Sequence, residues 1–276
     1  MQLECKNRRL DLSRPRVMGV LNVTPDSFSD GGAFLAAEQA VARAGEMVAE
    51  GADIIDIGGE STRPGAAPVS VEAELARVIP VIEALHGRVD ALLSVDTSKP
   101  EVMRAAVAAG ADIINDVCAL RAPGALQAAA QTQAAVCLMH MQGEPRTMQE
   151  YPDYANLVTD VTGFLHERVT AAEAAGIARA RLLVDPGFGF GKRLDHNLSL
   201  LKHLAELADA GLPVLVGLSR KSMIGKLLDL PVGERLHPSV ALAVMAVMQG
   251  ARIVRTHDVA PTVQALAMCA ALEQAE

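Results

Sequence analysis

Eight short runs of apolar, largely β-branched residues punctuate the chain at 17–22 (VMGVLN), 53–58 (DIIDIG), 92–96 (LLSVD), 112–116 (DIIND), 135–140 (AVCLMH), 181–185 (RLLVD), 213–219 (PVLVGLS) and 252–257 (RIVRTH). Their hydrophobicity is continuous rather than alternating, as parallel strands covered on both faces require. Between the runs lie longer Ala-rich segments of helical period, such as 36–50 and 71–85. In the second, Leu75, Val78, Ile79 and Ile82 recur at i, i+3, i+4 and i+7 and predict one buried helix face. Glycines at 51, 110 and 250 each follow a helical segment and precede a strand, where a left-handed residue ends a helix at little cost. Pro100 suits the first turn of a helix starting near Ser98, and Asp258 ahead of Pro261 is placed to cap the last one.

Eight strands alternating with about eight helices leave a closed barrel or an open doubly wound sheet. No GxGxxG follows the first strand, which weakens a dinucleotide-binding sheet. The expectation is therefore an α/β fold, a (β/α)8 TIM barrel spanning residues 1–276 as a single domain, with an N-terminal extension or hairpin before strand one. The chain has no linker or low-complexity tract to divide it, and barrels of this class run to about 250 residues.

The 276 residues are 50% hydrophobic and 21% charged, the balance of a soluble globular protein. A net charge of −8 with no Lys/Arg block argues against nucleic acid as a partner. No apolar run is long enough for a membrane span, and residues 1–15 carry too many charges for an export signal. The four cysteines, Cys5, Cys118, Cys137 and Cys269, show no close pairing, so reduced thiols and a cytoplasmic location are expected.

Polar residues gather at the strand C-termini, which converge on one mouth in a barrel: Asn22, Asp56, Asp96, Asn115 with Asp116, His140, Asp185, Lys221, and Arg255 with His257. A polar tip on nearly every strand points to a site, although Asp53 and Asp112 show that the other ends also carry polar residues. His140 reads as a packed histidine. Asp96 and Asp185 could equally cap or hold turns. The loop 22–32 reads as a surface loop or as a lid, with Phe28 and Asp30 brought in on closure. Segment 58–65 joins glycine backbone, hydroxyls and Arg63, which suits an anion. At 217–225 a helix start with Ser222 offers a seat for a carboxylate or phosphate, and with Arg255 and His257 it makes a cationic side. Asp96, Asn115 and Asp185 stand opposite, with acceptors for the donor edge of a heterocycle. No zinc pattern is present, so a metal would be a hard cation on oxygen ligands.

These motifs resemble the dihydropteroate synthase family along essentially the whole chain. MGVLNVTPDSFSDGG (18–32) and GADIIDIGGESTRPG (51–65) are its two most specific signatures. SVDTSKPEV (94–102), IIND (113–116), CLMHMQGEPRTMQ (137–149), DPGFGFGK (185–192), GLSRKSMIG (217–225) and RTHDV (255–259) follow in order. The resemblance implies condensation of a dihydropterin pyrophosphate with p-aminobenzoate, by a dissociative path through a pterin cation, with Mg²⁺ as cofactor. It implies pterin binding by Asp96, Asn115, Asp185, Lys221 and Arg255. Pyrophosphate would be held by Asn22, Thr62, Arg63, Arg255 and His257, with Asn22 also carrying the metal. Ser222 would take the aminobenzoate carboxylate, and Phe28, Pro64 and Phe190 would wall its ring. Asp30, Arg63, Asp96 and Lys221 would be catalytic, and the protein would be a homodimer packed through outer helices. Three other readings remain: a barrel aldolase with Lys221 as Schiff base, a corrinoid-dependent methyltransferase module, and a barrel that only binds a pterin.

Overall fold

A computed structural model describes residues 1–23, 32–61, 65–143, 147–209 and 211–275. A hairpin of β1 (Gln2–Cys5) and β2 (Arg8–Asp11) precedes eight parallel strands: β3 (Arg16–Asn22), β4 (Ile54–Gly58), β5 (Leu92–Asp96), β6 (Ile113–Asp116), β7 (Ala135–Met139), β8 (Leu182–Asp185), β9 (Leu215–Gly217) and β10 (Ile253–Thr256). The sheet order is β8-β7-β6-β5-β4-β3-β10-β9. A parallel bridge between Val184 and Val214, with Val184 N donating to Pro213 O at 3.0 Å, joins the two end strands. The expected (β/α)8 barrel with its leading hairpin is what forms.

Helices link the strands: α1 (Gly32–Ala49), α2 (Val71–Leu85), α3 (Pro100–Ala109), α4 (Ala125–Ala130), α5 (Leu157–Ala174), α6 (Leu194–Lys202), α7 (Leu204–Ala208), α8 (Ser222–Leu228), α9 (Leu236–Met248) and α10 (Val259–Glu273). The periodic segment 71–85 is α2, opened by the Ser70 hydroxyl accepting from Ala73 N at 3.2 Å. Ten helices rather than about eight are described, because two crossovers use a pair. His203 separates α6 from α7, and Asp229, at a left-handed φ of 54°, ends α8 well before α9 begins. Gly51, Gly110 and Gly250 all take positive φ, as their junctions predict. Asp258 stands where a cap would, yet makes no capping bond: Arg220 Nε binds its carboxylate at 3.0 Å, so the charge goes to an ion pair instead.

Strand side chains alternate between two environments. The outward set, including Val17, Ile55, Leu93, Ile114, Val136, Val184, Val216 and Val254, packs under the helices. The inward set begins with Met18, Ile54, Leu92, Ile113, Ala135, Leu183, Leu215 and Ile253, which form one apolar layer with Leu3, Cys5, Leu10 and Leu12 of the hairpin. The hairpin thus plugs the N-terminal end. Asp53 and Asp112, polar residues at that end, are structural there: Asp53 pairs with Arg16 at 2.8 Å, and Asp112 accepts from Leu93 N at 3.0 Å. Two residues further along β4, β5, β6, β8 and β10 the inward positions turn polar.

Candidate active site

The second inward layer holds Asp56, Ser94, Asn115, Asp185 and Arg255, and Asp96 lies one step above it at the end of β5. Each is two or four residues from an apolar partner in the sealed layer, so a single register delivers all of them to the C-terminal mouth. Asp96, Asn115, Asp185, Lys221 and Arg255 line one cavity there, with Val117, Met139, Phe188, Phe190 and Gly217. The five residues expected to bind the pterin are therefore brought together in one place.

Asp56 is the organising charge. It is fully buried and takes three donors: Ser94 Oγ at 2.6 Å, Asn115 Nδ2 at 3.1 Å and Arg255 Nε at 2.6 Å. Arg255 Nη2 also donates to Asp96 Oδ2 at 2.8 Å. Acceptors and cations were expected on opposite sides of the cavity. Arg255 instead spans the floor and is bound to two carboxylates, because its planar fork can meet both at once. Burial pushes the Asp96 carboxyl well above its ordinary range, Arg255 opposes this, and Asp56 adds to it. Sequence reasoning placed Asp56 at the mouth without a role. The signal that assigns one is the period-two register it shares with Ser94 and Asn115.

Asp185 ends β8, and its Oδ1 accepts from Gly187 N at 2.7 Å. Burial raises its carboxyl to about 6, against the pull of that hydrogen bond and of Lys221. Lys221 precedes α8 with its ammonium 4.3 Å from the centre of the Phe190 ring. Burial lowers it to about 8, with Asp185 holding it up. His257 Nδ1 lies 3.1 Å from Ser219 Oγ, and burial followed by repulsion from Arg255 drops it to about 4. It is thus neutral near pH 7 and does not add to the cationic side expected of it.

Asn22 and Asp96 sit on one rim. A Cβ added at Gly58 would lie in ordinary contact with both, 3.8 Å from Asn22 Oδ1 and 3.6 Å from Asp96 Cβ. Ser222 opens α8 and is exposed beside Lys221, outside the set lining the cavity. Phe28, Asp30, Thr62, Arg63 and Pro64 lie outside the described residues. Asp116 faces away from the cavity and holds a turn, accepting from Cys118 N at 2.8 Å and Leu120 N at 2.7 Å. His140 is packed, as expected, edge-on to Phe164 with ring centres 4.9 Å apart. Its Nδ1 lies 2.9 Å from Lys192 Nζ, a contact the sequence did not suggest.

Comparison with known proteins narrows the chemistry. Residues 18–257 match the model of the pterin binding enzyme family. A dihydropteroate synthase of Escherichia coli K12 is 58% identical over 266 residues, 96% of this chain and 94% of that protein. A crystal structure of the Yersinia pestis dihydropteroate synthase in a sulfonamide drug complex superposes with a TM-score of 0.95 at 56% identity, covering all of both chains. The Xanthomonas albilineans dihydropteroate synthase with 4-aminobenzoic acid gives 0.94 at 55%, covering 100% of this chain and 99% of that one. By family model, sequence identity and fold together, this chain belongs to the dihydropteroate synthases of the pterin binding enzyme family.

Proposed function

We infer that the chain condenses 6-hydroxymethyl-7,8-dihydropterin pyrophosphate with p-aminobenzoate, releasing pyrophosphate and forming 7,8-dihydropteroate for folate synthesis. The observation that carries this is the convergence of Asp96, Asn115, Asp185, Lys221 and Arg255 on one cavity at the barrel mouth. Carboxylates and an amide match the N–H edge of a pterin. The bond from the pterin methylene carbon to the pyrophosphate oxygen breaks, and its electron pair leaves with the pyrophosphate. The aniline nitrogen then attacks the methylene and gives up a proton. Fixed carboxylates at the floor favour the positive charge that develops on the pterin.

The remaining roles follow the family pattern. Ser222 takes the aminobenzoate carboxylate, and Phe190 with Phe28 and Pro64 encloses its ring. Thr62, Arg63, Arg255 and His257 hold the pyrophosphate, and Asp30 with Arg63 completes the closed site. A hard divalent cation suits an amide oxygen, and among the described residues the Asn22 Oδ1 on the rim would be a ligand for it. Among the described residues no group of three acidic, His or Cys side chains forms a cage, and Mg²⁺ commonly takes one protein ligand with waters and substrate phosphates. When bound, Mg²⁺ neutralises the leaving pyrophosphate.

The test is pyrophosphate release from the pterin substrate, with and without p-aminobenzoate, at varied Mg²⁺. Dihydropteroate formed one for one with pyrophosphate when p-aminobenzoate is present supports the reading; pyrophosphate release that yields no dihydropteroate in its presence sinks it. Three titrating groups predict the pH dependence, and Asp96, raised to about 7 by burial, carries the acid limb on beyond Asp185. Asp185 must be ionised to accept the pterin's donors, so kcat/KM should climb as pH passes about 6. Lys221 must keep its proton, so kcat/KM should fall above about 8. In Lys221→Arg the alkaline limb should disappear, because a guanidinium stays charged throughout.

The outer helices support a homodimer. α9 and α10 pack side by side and expose Met245, Met248, Met268 and Leu272, each more than half exposed. Four large apolar side chains exposed on two adjacent helices would be covered by a two-fold pair packed through them. A solution mass near twice 29.0 kDa is expected from light scattering, and a single-chain mass at micromolar concentration would refute it. No described helix is long and apolar enough to cross a membrane. Buried free thiols at Cys5 and Cys137 are consistent with a cytoplasmic setting.

A further inference from the structure

Lys192 ends the DPGFGFGK segment and is 2% exposed, yet it does not line the cavity. Its ammonium has three donors and meets three acceptors: His140 Nδ1 at 2.9 Å, Gly187 O at 2.9 Å and Phe190 O at 3.0 Å. The His140 ring is held down to about 3 by burial and by Lys192 itself, so its Nδ1 offers a lone pair to the ammonium. Burial, opposed by Asp185 and aided by Lys221, lowers Lys192 to about 7, but the complete set of acceptors gives the charged form a hydrogen bond for every N–H.

The segment is wound around this ammonium. Phe190 N donates to Gly187 O at 3.1 Å, Asn197 Oδ1 accepts from Gly189 N at 2.7 Å, and Tyr154 Oη donates to Gly191 O at 2.7 Å. Gly187 takes a φ of 69°, and a Cβ there would fall 1.9 Å from His140 O, so the chain can pass only as glycine. The Phe190 ring, carried on the carbonyl that Lys192 grips, lies under the Lys221 ammonium at 4.3 Å.

We propose that Lys192 is a positioning residue for the aminobenzoate half of the site: by binding the Gly187 and Phe190 carbonyls against His140, it fixes the Phe190 ring and, through it, the Lys221 ammonium. This deepens the functional reading above and rests on it. Lys192 touches no substrate. Without its amine the two carbonyls lose their common donor, the segment relaxes, and the ring tilts within the pocket it walls.

The test uses steady-state kinetics of the full-length enzyme with both substrates varied. Lys192→Met fills the same space without a donor and should raise KM for p-aminobenzoate by about tenfold or more, within the loss that displacement of a positioning group by a fraction of an ångström to 1 Å produces. KM for the pterin substrate should rise by less, since Asp96 and Asn115 are held through Arg255 and Asp56 rather than by this segment. In a Phe190→Ala background the same substitution should have little further effect on p-aminobenzoate, a non-additivity that a general loss of stability would not give. His140→Asn, which shortens one acceptor while leaving Lys192 in place, should shift the same KM ratio in the same direction by less, and it decides the matter if Lys192→Met does not fold. An unchanged ratio of the two KM values in folded variants overturns the proposal. Failure of the wild-type enzyme to couple pyrophosphate release to p-aminobenzoate would instead overturn the functional reading.

Discussion

Asp185→Ala is expected to lower kcat/KM for the pterin substrate by about two to four orders of magnitude while the barrel stays folded. Asp185 is 6% exposed, and one carboxylate oxygen serves the turn through Gly187 N. The second oxygen receives no hydrogen bond from a described residue, and the carboxyl is raised to about 6, chiefly by burial. A desolvated acceptor of this kind is prepared for donors that arrive with a ligand. Charge-assisted hydrogen bonds contribute about 1.5–3 kcal/mol each. Two lost from a pterin edge amount to about 3–6 kcal/mol, which is the stated range at about 1.4 kcal/mol per tenfold. Stability should respond differently. A carboxyl whose folded value lies above its unfolded value binds protons more tightly in the fold, so its ionisation disfavours folding as pH rises through that interval. Removing it should leave the melting temperature at pH 7 level or slightly higher, less the small loss of the Gly187 contact. Pterin affinity by calorimetry and melting temperature together decide the point; retained affinity with intact folding would remove Asp185 from the pterin site.

The barrel was legible because both faces of each strand are buried, which leaves an unbroken apolar run in the sequence. Where burial is one-sided or local contacts decide, the pattern gives no warning. The break at His203 between α6 and α7 leaves the hydrophobic spacing nearly unchanged. The carboxylate of Asp258 goes to Arg220 rather than to its own helix end because a charged donor nearby outcompetes backbone N–H groups, and that donor is 38 residues away in the chain. The candidate site was legible as polar strand ends, which locate the mouth but not the partners within it. Arg255 was expected to face an acidic side and instead joins it, since only the closed barrel sets residues 56, 96 and 255 around one floor. Lys192 closes the DPGFGFGK motif but gave no signal of its burial: a lysine at the end of a glycine-rich run ordinarily reads as exposed, and its burial depends on His140 arriving from the end of β7.

Asp56→Ala should reduce both stability and turnover, and the two losses are separable. The carboxylate is wholly buried and binds Ser94, Asn115 and Arg255 together. Deleting it leaves Arg255 with Asp96 as its one bonded carboxylate and strands the Asn115 amide. Breaking a buried pair from one side costs about 3–5 kcal/mol. Arg255 keeps partial solvent access, with 23% of its side chain exposed, so a value nearer about 2–3 kcal/mol is expected from denaturant unfolding. The kinetic loss has another source, since Asn115 and Arg255 both take their aim from the same oxygen, Asp56 Oδ2. Losing that aim should lower kcat/KM by about a hundredfold at a temperature where the variant is fully folded. Asp56→Asn tests the division, because an amide offers one oxygen where Asp56 offered two. It can still accept from Arg255 or from Ser94, so it should recover much of the stability and less of the rate. Were Asp56→Ala to fold less stably yet turn over at the wild-type rate, the carboxylate would be a structural pin alone. Arg255 would then have to be oriented by Asp96, whose own carboxyl burial already drives towards the neutral form.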